Sequence, residues 1–109
     1  MRLTFVETPM FRVSSRGTLS DANVHHLQLD LLEDPMSGVL ISGTGGARKL
    51  RLGIAGRGKR GGVRVIYYQH VAAARVYLLL VYPKSAADDL SQAGRRAMRQ
   101  LITAIDQEA

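Results

Sequence analysis

Apolar residues in the first third of the chain predict one strand followed by two helices. Leu3, Phe5 and Val6 form a short strand-like run that Thr8-Pro9 ends. Threonine is a good N-cap and proline suits the first helical position, so a short helix is predicted to begin there. A second helix is predicted after Ser20 or Asp21 and before Asp34-Pro35, because apolar residues recur at helical spacing; they are Val24, Leu27, Leu31 and Leu32. The two helices are expected to pack on a sheet as a hairpin.

The apolar period changes to that of strands in the middle of the chain. Residues 38–46 are predicted to be a loop, and residues 53–62 a flexible turn. Between them, ARKLRLGI alternates Leu50, Leu52 and Ile54 with Lys49 and Arg51, which predicts a half-buried strand with a basic outer face. VRVIYYQHV and ARVYLLLVY are rich in β-branched and aromatic residues and predict two more strands, joined near residues 72–74. The second of these is apolar on both faces, which favours a place inside the sheet.

The segment from Ser91 onward has the clearest helical period. Arg95, Arg96 and Arg99 lie mostly off its apolar stripe, which consists of Leu90, Ala97, Met98, Leu101, Ile102 and Ile105. The resulting order is strand, two helices, three strands and a helix. This order predicts an α+β fold with a small, mainly antiparallel sheet, two N-terminal helices and a C-terminal helix. The length of 109 residues predicts a single domain spanning residues 1–109.

Positive charge is concentrated in one segment, RKLRLGIAGRGKRGGVR, which runs from Arg48 to Arg64. It holds seven of the fifteen lysines and arginines and no acidic residue, while the chain has a formal charge of +6. Eight of the eleven glycines fall between Gly43 and Gly62. Dense positive charge attracts phosphate, and glycine lets a backbone approach a partner closely. We interpret the segment as a nucleic-acid-facing surface; the alternative is a solvated loop whose charge serves solubility.

Composition also excludes several classes of site. The chain has no cysteine, which excludes disulfides, thiolate metal sites and a cysteine nucleophile. The N-terminus lacks the apolar run of a signal peptide, and the longest strongly apolar run, Val76 to Tyr82, is far shorter than a membrane span. We expect a soluble, cytoplasmic protein with no metal and no cofactor.

Two nucleotide-binding patterns occur in the basic segment, and neither has the required context. Gly53 to Lys59 spells G-x-x-x-x-G-K, but Arg60 stands where a Walker loop needs serine or threonine. Gly56, Gly58 and Gly61 spell G-x-G-x-x-G without a following helix. Both patterns are rejected.

Other polar residues are interpreted as structural. His25 and His26 are adjacent and cannot share a metal at helical spacing, and His70 is interpreted as a packing residue rather than a proton carrier. Asp88 and Asp89 precede the last helix and suit its dipole. Of the four tyrosines, Tyr67, Tyr68 and Tyr77 are expected to pack, and Tyr82 is the best candidate to stack on a base.

The motifs of the basic half resemble those of a known family. GTGG-x-RK-x-R, GRGKRGG-x-RVIYY and YLLLVY-x-K, in this order, resemble the RelE/HigB superfamily of toxins from type II toxin–antitoxin modules, and most closely its HigB-like branch. The resemblance runs from about Gly38 to Leu101. It implies a RelE-like fold and metal-independent, ribosome-dependent endonucleolytic cleavage of mRNA, that is, an mRNA interferase that inhibits translation. It also implies a cognate antitoxin protein as partner, besides the ribosome and mRNA, and no membrane.

Site residues follow from the resemblance position by position. It implies a catalytic set and a set that binds nucleic acid: Lys49, Arg51, Arg64, Tyr82 and Lys84 for the first, and Arg48, Arg57, Lys59 and Arg60 for the second. The chain departs from the family pattern at Leu52, where an aromatic residue is usual, and at Pro83, where alanine is usual. Lys49, Arg64 and Lys84 are expected to lie on an exposed surface, so that alanine there removes activity and leaves the fold intact.

The chemistry of RNA cleavage agrees with a cluster of cations. Attack by the 2′-hydroxyl needs a base, charge neutralisation at the phosphorane and an acid for the leaving oxygen. Crowded cations lower one another's pKa, so that a lysine among them can exchange a proton. Two alternatives remain open: a non-nucleolytic inhibitor on the same scaffold, such as the gyrase-targeting ParE relatives, and a basic nucleic-acid-binding module.

Overall fold

Five strands and three helices make up the part of the chain that the structure describes. The computed structural model describes residues 2–54, 58–86 and 89–108, and for residues 58–61 the backbone alone. The elements are β1 Thr4–Glu7, α1 Pro9–Ser15, α2 Asp21–Glu33, β2 Val39–Leu40, β3 Arg48–Ile54, β4 Gly58–His70, β5 Arg75–Pro83 and α3 Gln92–Glu108. The strands form one sheet in the order β1-β5-β4-β3-β2. Strand β1 runs parallel to β5, and the other neighbouring pairs are antiparallel. The predicted α+β class with a mainly antiparallel sheet is confirmed.

The first two helices begin where their capping residues predict. Thr8 caps α1: its hydroxyl accepts a hydrogen bond from the Phe11 backbone N–H at 3.2 Å and donates to the Leu78 carbonyl at 2.9 Å. The same side chain thus ends the first strand, starts the helix and ties it to β5. Ser20 caps α2 in a capping box with Asn23.

Both faces of the sheet are covered by helices. One face, the hairpin face, packs against α1 and α2 through Phe11, Leu27, Leu31, Leu52, Val63, Val65, Tyr67, Val76, Leu78 and Val81. The opposite face, the α3 face, packs against the last helix through Ala47, Ile66, Leu79, Met98, Ile102 and Ile105. Alternate residues of β4 belong to alternate cores, as strand geometry requires. The predicted hairpin of helices and the apolar stripe of α3 are confirmed, although Leu32 of the α2 stripe remains 39% exposed.

Two predicted loops are shorter than expected. Residues 38–46 contain strand β2, in which Val39 pairs with Lys49 and Leu40 with Arg48. Strand β4 already begins at Gly58, which pairs with Ile54, so a turn that continues to residue 62 is wrong. Sequence patterns miss both because a two-residue strand has no period and because glycine is a poor predictor of strand.

Gly38 lets β2 approach the core closely. A Cβ atom there would stand 2.8 Å from the ring of Tyr67 and 3.0 Å from the Lys49 carbonyl oxygen. The Tyr67 hydroxyl accepts a hydrogen bond from the Gly38 N–H and donates one to the Pro35 carbonyl, each at 2.9 Å. Burial is the main cause of the raised pKa of Tyr67. This glycine therefore serves packing inside the protein rather than contact with a ligand.

Candidate nucleic-acid interface

Three of the predicted catalytic residues form a row across the sheet. Arg51 on β3 pairs with Arg64 on β4, and Arg64 pairs with Tyr82 on β5. Residues directly opposite one another in antiparallel strands share a face and lie about 5 Å apart. Tyr82 belongs to the α3 core, so the whole row lies on the α3 face. Lys49 is on the same face, because its partner Ile66 packs against α3.

The row places like charges side by side at different depths. Arg51 is exposed, whereas Arg64 is only 1% exposed and is the largest fully buried side chain among the described residues. Two arginines directly opposite repel each other, and burial of a guanidinium adds a cost of desolvation. The expectation that Arg64 lies on an exposed surface is therefore wrong. Its guanidinium is therefore not accessible to a ligand in this structure.

Lys49 forms an ion pair with Asp89 that the sequence did not predict. Its Nζ lies 2.5 Å from Oδ1 of Asp89, and the two side chains are 23% and 70% exposed. The hydrogen bond from Lys49, and next its charge, lower the pKa of Asp89. Asp89 was assigned to the start of α3, but there the Ser91 hydroxyl accepts the Gly94 N–H at 3.1 Å. Two signals together would have found the pair: Lys49 faces α3 by strand alternation, and an acidic pair precedes that helix.

Lys84 follows directly on β5 despite the proline before it. Pro83 pairs with Val63, and the Lys84 N–H donates to the Gly62 carbonyl at 3.4 Å. Pro83 therefore ends the strand without interrupting its pairing with β4, as expected for proline at a strand end. Lys84 is half-buried and follows Tyr82, the last residue of the row, by two positions.

Not all of the residues predicted to bind nucleic acid are placed at this site by the structure. Arg48 pairs with Tyr67 and so lies on the hairpin face. Its Nη1 donates to the carbonyl oxygens of Gly38 at 2.8 Å and Met36 at 3.2 Å. Arg57 lies outside the described residues, and the side chains of Lys59 and Arg60 do too.

An open cleft lies beside the exposed end of the row. It has a volume of about 420 Å³ and is lined by Ser37, Val39, Lys49, Leu50 and Arg51. It lies beside the start of β2, where β3 continues beyond its pairing with that strand. Within the described ranges, no three His, Asp or Glu side chains lie close enough to share a metal ion. The cleft thus offers two cations and one hydroxyl group to an anionic ligand.

The far end of the α3 face carries a second polar cluster of different character. The Tyr68 hydroxyl donates to Oδ1 of Asp106 at 2.7 Å, and Nε2 of His70 lies 3.7 Å from the same oxygen. Burial and this carboxylate raise the pKa of Tyr68 to about 12. Nδ1 of His70 accepts the Ala73 N–H at 3.1 Å, which places the proton of the neutral ring on Nε2. The cluster fastens the end of α3 to β4.

Comparison with known proteins identifies the fold. No family model matches the sequence. Among solved structures, the chain is similar to a double arginine-to-alanine mutant of the E. coli toxin RelE in the free state, with a TM-score of 0.58 and 17% sequence identity. The match covers 81% of this chain and 90% of that chain. The RelE-like fold is thereby confirmed, and the HigB-like branch stays a prediction. In the described part of the chain, no helix is both long and apolar enough to span a bilayer.

Proposed function

We propose that this protein is the toxin of a type II toxin–antitoxin system and that it cleaves mRNA on the ribosome without a metal ion. The observation that carries the proposal is the row of Arg51, Arg64 and Tyr82 on the α3 face, with Lys49 beside it. The row and Lys49 bring three cationic side chains to one face, and positive charge attracts the phosphate groups of RNA. The RelE-like fold supports the same function.

The proposed reaction is transfer of a phosphodiester to the neighbouring 2′-oxygen. The 2′-hydroxyl loses its proton to a base and attacks phosphorus, the bond to the 5′-oxygen breaks, and an acid returns a proton to that oxygen. The products are a 2′,3′-cyclic phosphate and a 5′-hydroxyl. Arg51 stabilises the charge of the phosphorane, and Lys49 and Lys84 add positive charge beside it. Tyr82 stacks on a base or donates its hydroxyl proton.

Asp89 has to release Lys49 before RNA can take its place. The carboxylate occupies the position in which an RNA phosphate would contact the ammonium group. Because most of Asp89 is solvent-exposed, the exchange of one anion for another costs little free energy.

The partners in this proposal are the ribosome, mRNA and a cognate antitoxin, whose acidic side chains are drawn to the same cations. The proposed location is the cytoplasm.

The burial of Arg64 favours one alternative. With that guanidinium 1% exposed, Arg64 is not accessible to an RNA phosphate in the free protein. A non-nucleolytic inhibitor on the same fold, acting on gyrase, has no need of Arg64 at the surface.

Primer extension on cellular mRNA after brief induction separates the two functions. Discrete cuts inside reading frames are expected for the wild type, and no cuts for Arg51→Ala at equal protein level. Intact transcripts together with DNA damage would overturn the nuclease in favour of the gyrase inhibitor.

Two further experiments test the metal requirement and the partner. Cleavage by purified protein on purified ribosomes at low, fixed magnesium should persist when a chelator removes trace transition metals, since no catalytic ion is proposed. Co-expression of the adjacent open reading frame should restore growth, and equal growth with and without it would contradict the toxin assignment.

A further inference from the structure

A second group of cations lies on the same side of the molecule, outside the row. The groove between α3 and the loop before β3 is lined by Ser42, Gly43, Gln92, Arg95, Arg96 and Arg99 and has a volume of about 440 Å³. We call it the arginine groove. No apolar side chain lines it, and most of its surface is polar.

Arg95 holds the arginine groove together. Its Nη1 donates to the Ser42 carbonyl at 3.1 Å and to the Ser42 hydroxyl at 2.9 Å, and its Nε lies 3.4 Å from the Leu90 carbonyl. The loop and the helix are thereby fixed relative to each other. Gly43, with φ of +78°, leaves open space where a Cβ would stand. A ligand backbone can therefore approach the loop closely.

Arg96 and Arg99 are exposed on the helix side of the groove. The first turn of α3 contains no acidic residue, and the acidic residues of this helix, Asp106 and Glu108, lie at its other end. Positive charge near a helix N-terminus and negative charge near its C-terminus both oppose the helix dipole. The half of α3 that lines the groove therefore carries positive charge without an acidic residue of the same helix beside it.

The arginine groove is continuous with the proposed cleavage site. A middle cleft of about 190 Å³ is lined by Val39, Leu40, Ile41, Ser42, Lys49, Asp89 and Arg95. It shares Arg95 with the arginine groove and Lys49 with the cleft beside Arg51. Cations thus follow one another from Arg51 through Lys49 and Arg95 to Arg99.

We infer that the arginine groove binds the phosphodiester backbone of the RNA strand whose cleavage is proposed above, on nucleotides flanking the scissile bond. Two features favour RNA over an acidic protein. Protein interfaces have an apolar core, whereas nucleic-acid interfaces are polar and strongly basic, as this groove is. Guanidinium groups also present paired donors that match phosphate oxygens. Arg95 and Arg99 are one helical turn, about 6 Å, apart along the axis, which suits successive phosphates better than a single small anion.

The test measures RNA binding apart from cleavage. The probe is a short fluorescein-labelled single-stranded RNA, and its dissociation constant is measured by fluorescence anisotropy over a range of salt concentrations. The variant is Arg96→Ala/Arg99→Ala, whose side chains are exposed and whose replacements favour helix. The control is Arg12→Ala/Arg16→Ala, which removes the same charge from exposed positions in the last turn and at the C-cap of α1, on the hairpin side. Circular dichroism confirms that both are folded.

The groove variant should bind the RNA more weakly and should lower the salt slope by roughly 1.4, from about 0.7 for each lost phosphate contact to a single strand. The control should keep the wild-type slope. Equal slopes in the two variants would overturn the inference. So would a groove variant that binds the RNA normally and loses affinity for polyglutamate, since the groove would then be a site for acidic protein.

Failure of the groove inference can be distinguished from failure of the proposed nuclease function. Wild-type protein that binds RNA through the groove but never cuts mRNA on ribosomes would contradict the nuclease and support the groove. Wild-type protein that cuts mRNA, with a groove variant of unchanged salt slope, would support the nuclease and overturn the groove.

Discussion

The two faces of the sheet use the same kinds of side chain differently. On the hairpin face, the Arg48 guanidinium and the Tyr67 hydroxyl bond to backbone carbonyls of the segment between α2 and β2. On the α3 face, Arg51 is exposed beside a cleft, and Tyr68 bonds to a carboxylate. Arg48 and Arg51 are three residues apart on one strand and therefore project to opposite faces. Charge content alone thus does not separate a structural arginine from one available to a ligand.

Replacement of the two arginines is the strongest test of this difference. Arg51→Ala should reduce the rate of mRNA cleavage by about a hundredfold or more, the usual cost of removing one donor to a transition-state charge. The melting temperature should stay close to that of the wild type, because Arg51 is exposed. Arg48→Ala should lower the free energy of unfolding by roughly 1–3 kcal/mol and leave the rate per folded molecule unchanged. The measurements are single-turnover cleavage and urea denaturation; the opposite result in the two variants would show that the faces have been assigned the wrong roles.

The packing of Tyr67 on the hairpin face predicts the next largest effect. Gly38→Ala should destabilise the protein by about 1–3 kcal/mol, because the new Cβ overlaps the tyrosine ring and a carbonyl oxygen. Gly53→Ala is the matched control, since a Cβ there meets nothing within 4 Å. Equal free energies of unfolding for the two variants would contradict the close approach of β2 to the core.

Tyr68 on the α3 face should give a smaller effect that depends on pH. Its pKa is raised in the folded protein from 10.0 to about 12, so its stabilising contribution is complete below pH 10 and is lost as pH rises toward 12. Tyr68→Phe should lower the stability at neutral pH by about 1 kcal/mol, the usual contribution of one hydrogen bond. As the pH rises from 10 toward 12, the variant should also lose less stability than the wild type does. Denaturation at a series of pH values measures both, and an unchanged alkaline limb would exclude Tyr68 as its cause.

Asp89 is expected to give the smallest change in stability. Asp89→Asn removes a carboxylate that competes with RNA for Lys49, so RNA affinity should rise severalfold at neutral pH while the melting temperature hardly changes. In the wild type, the lowered pKa of Asp89 means that its stabilising effect is present above pH 3.8 and is lost as the pH falls further. Lower RNA affinity in the variant would show that Asp89 positions Lys49 for the ligand instead of competing with it.

The order of the elements was predictable from the sequence except for strand β2, whereas the depth of the site residues was not. The caps Thr8 and Ser20 and the alternation in β3 act locally, so they can be seen without a structure. The burial of Arg64 depends on what packs over the middle strand, and the pairing of Lys49 with Asp89 joins residues forty positions apart. The family resemblance assigned both Arg48 and Arg51 to the functional site, because a sequence motif preserves the spacing of residues and not the contacts that each side chain makes.

The parallel pairing of β1 with β5 affects how the protein emerges during its own synthesis. Phe5 pairs with Val76, and the hydroxyl of Thr8 donates to the carbonyl of Leu78. Strand β1 and helix α1 therefore cannot make these contacts until β5, seventy residues later in the chain, has been synthesised. Hairpin contacts of β3, β4 and β5 form earlier because they are close in sequence, and the N-terminal strand joins at the end. A nascent chain arrested before β5 leaves the ribosome has no complete row of Arg51, Arg64 and Tyr82, so a partly made copy lacks the proposed site.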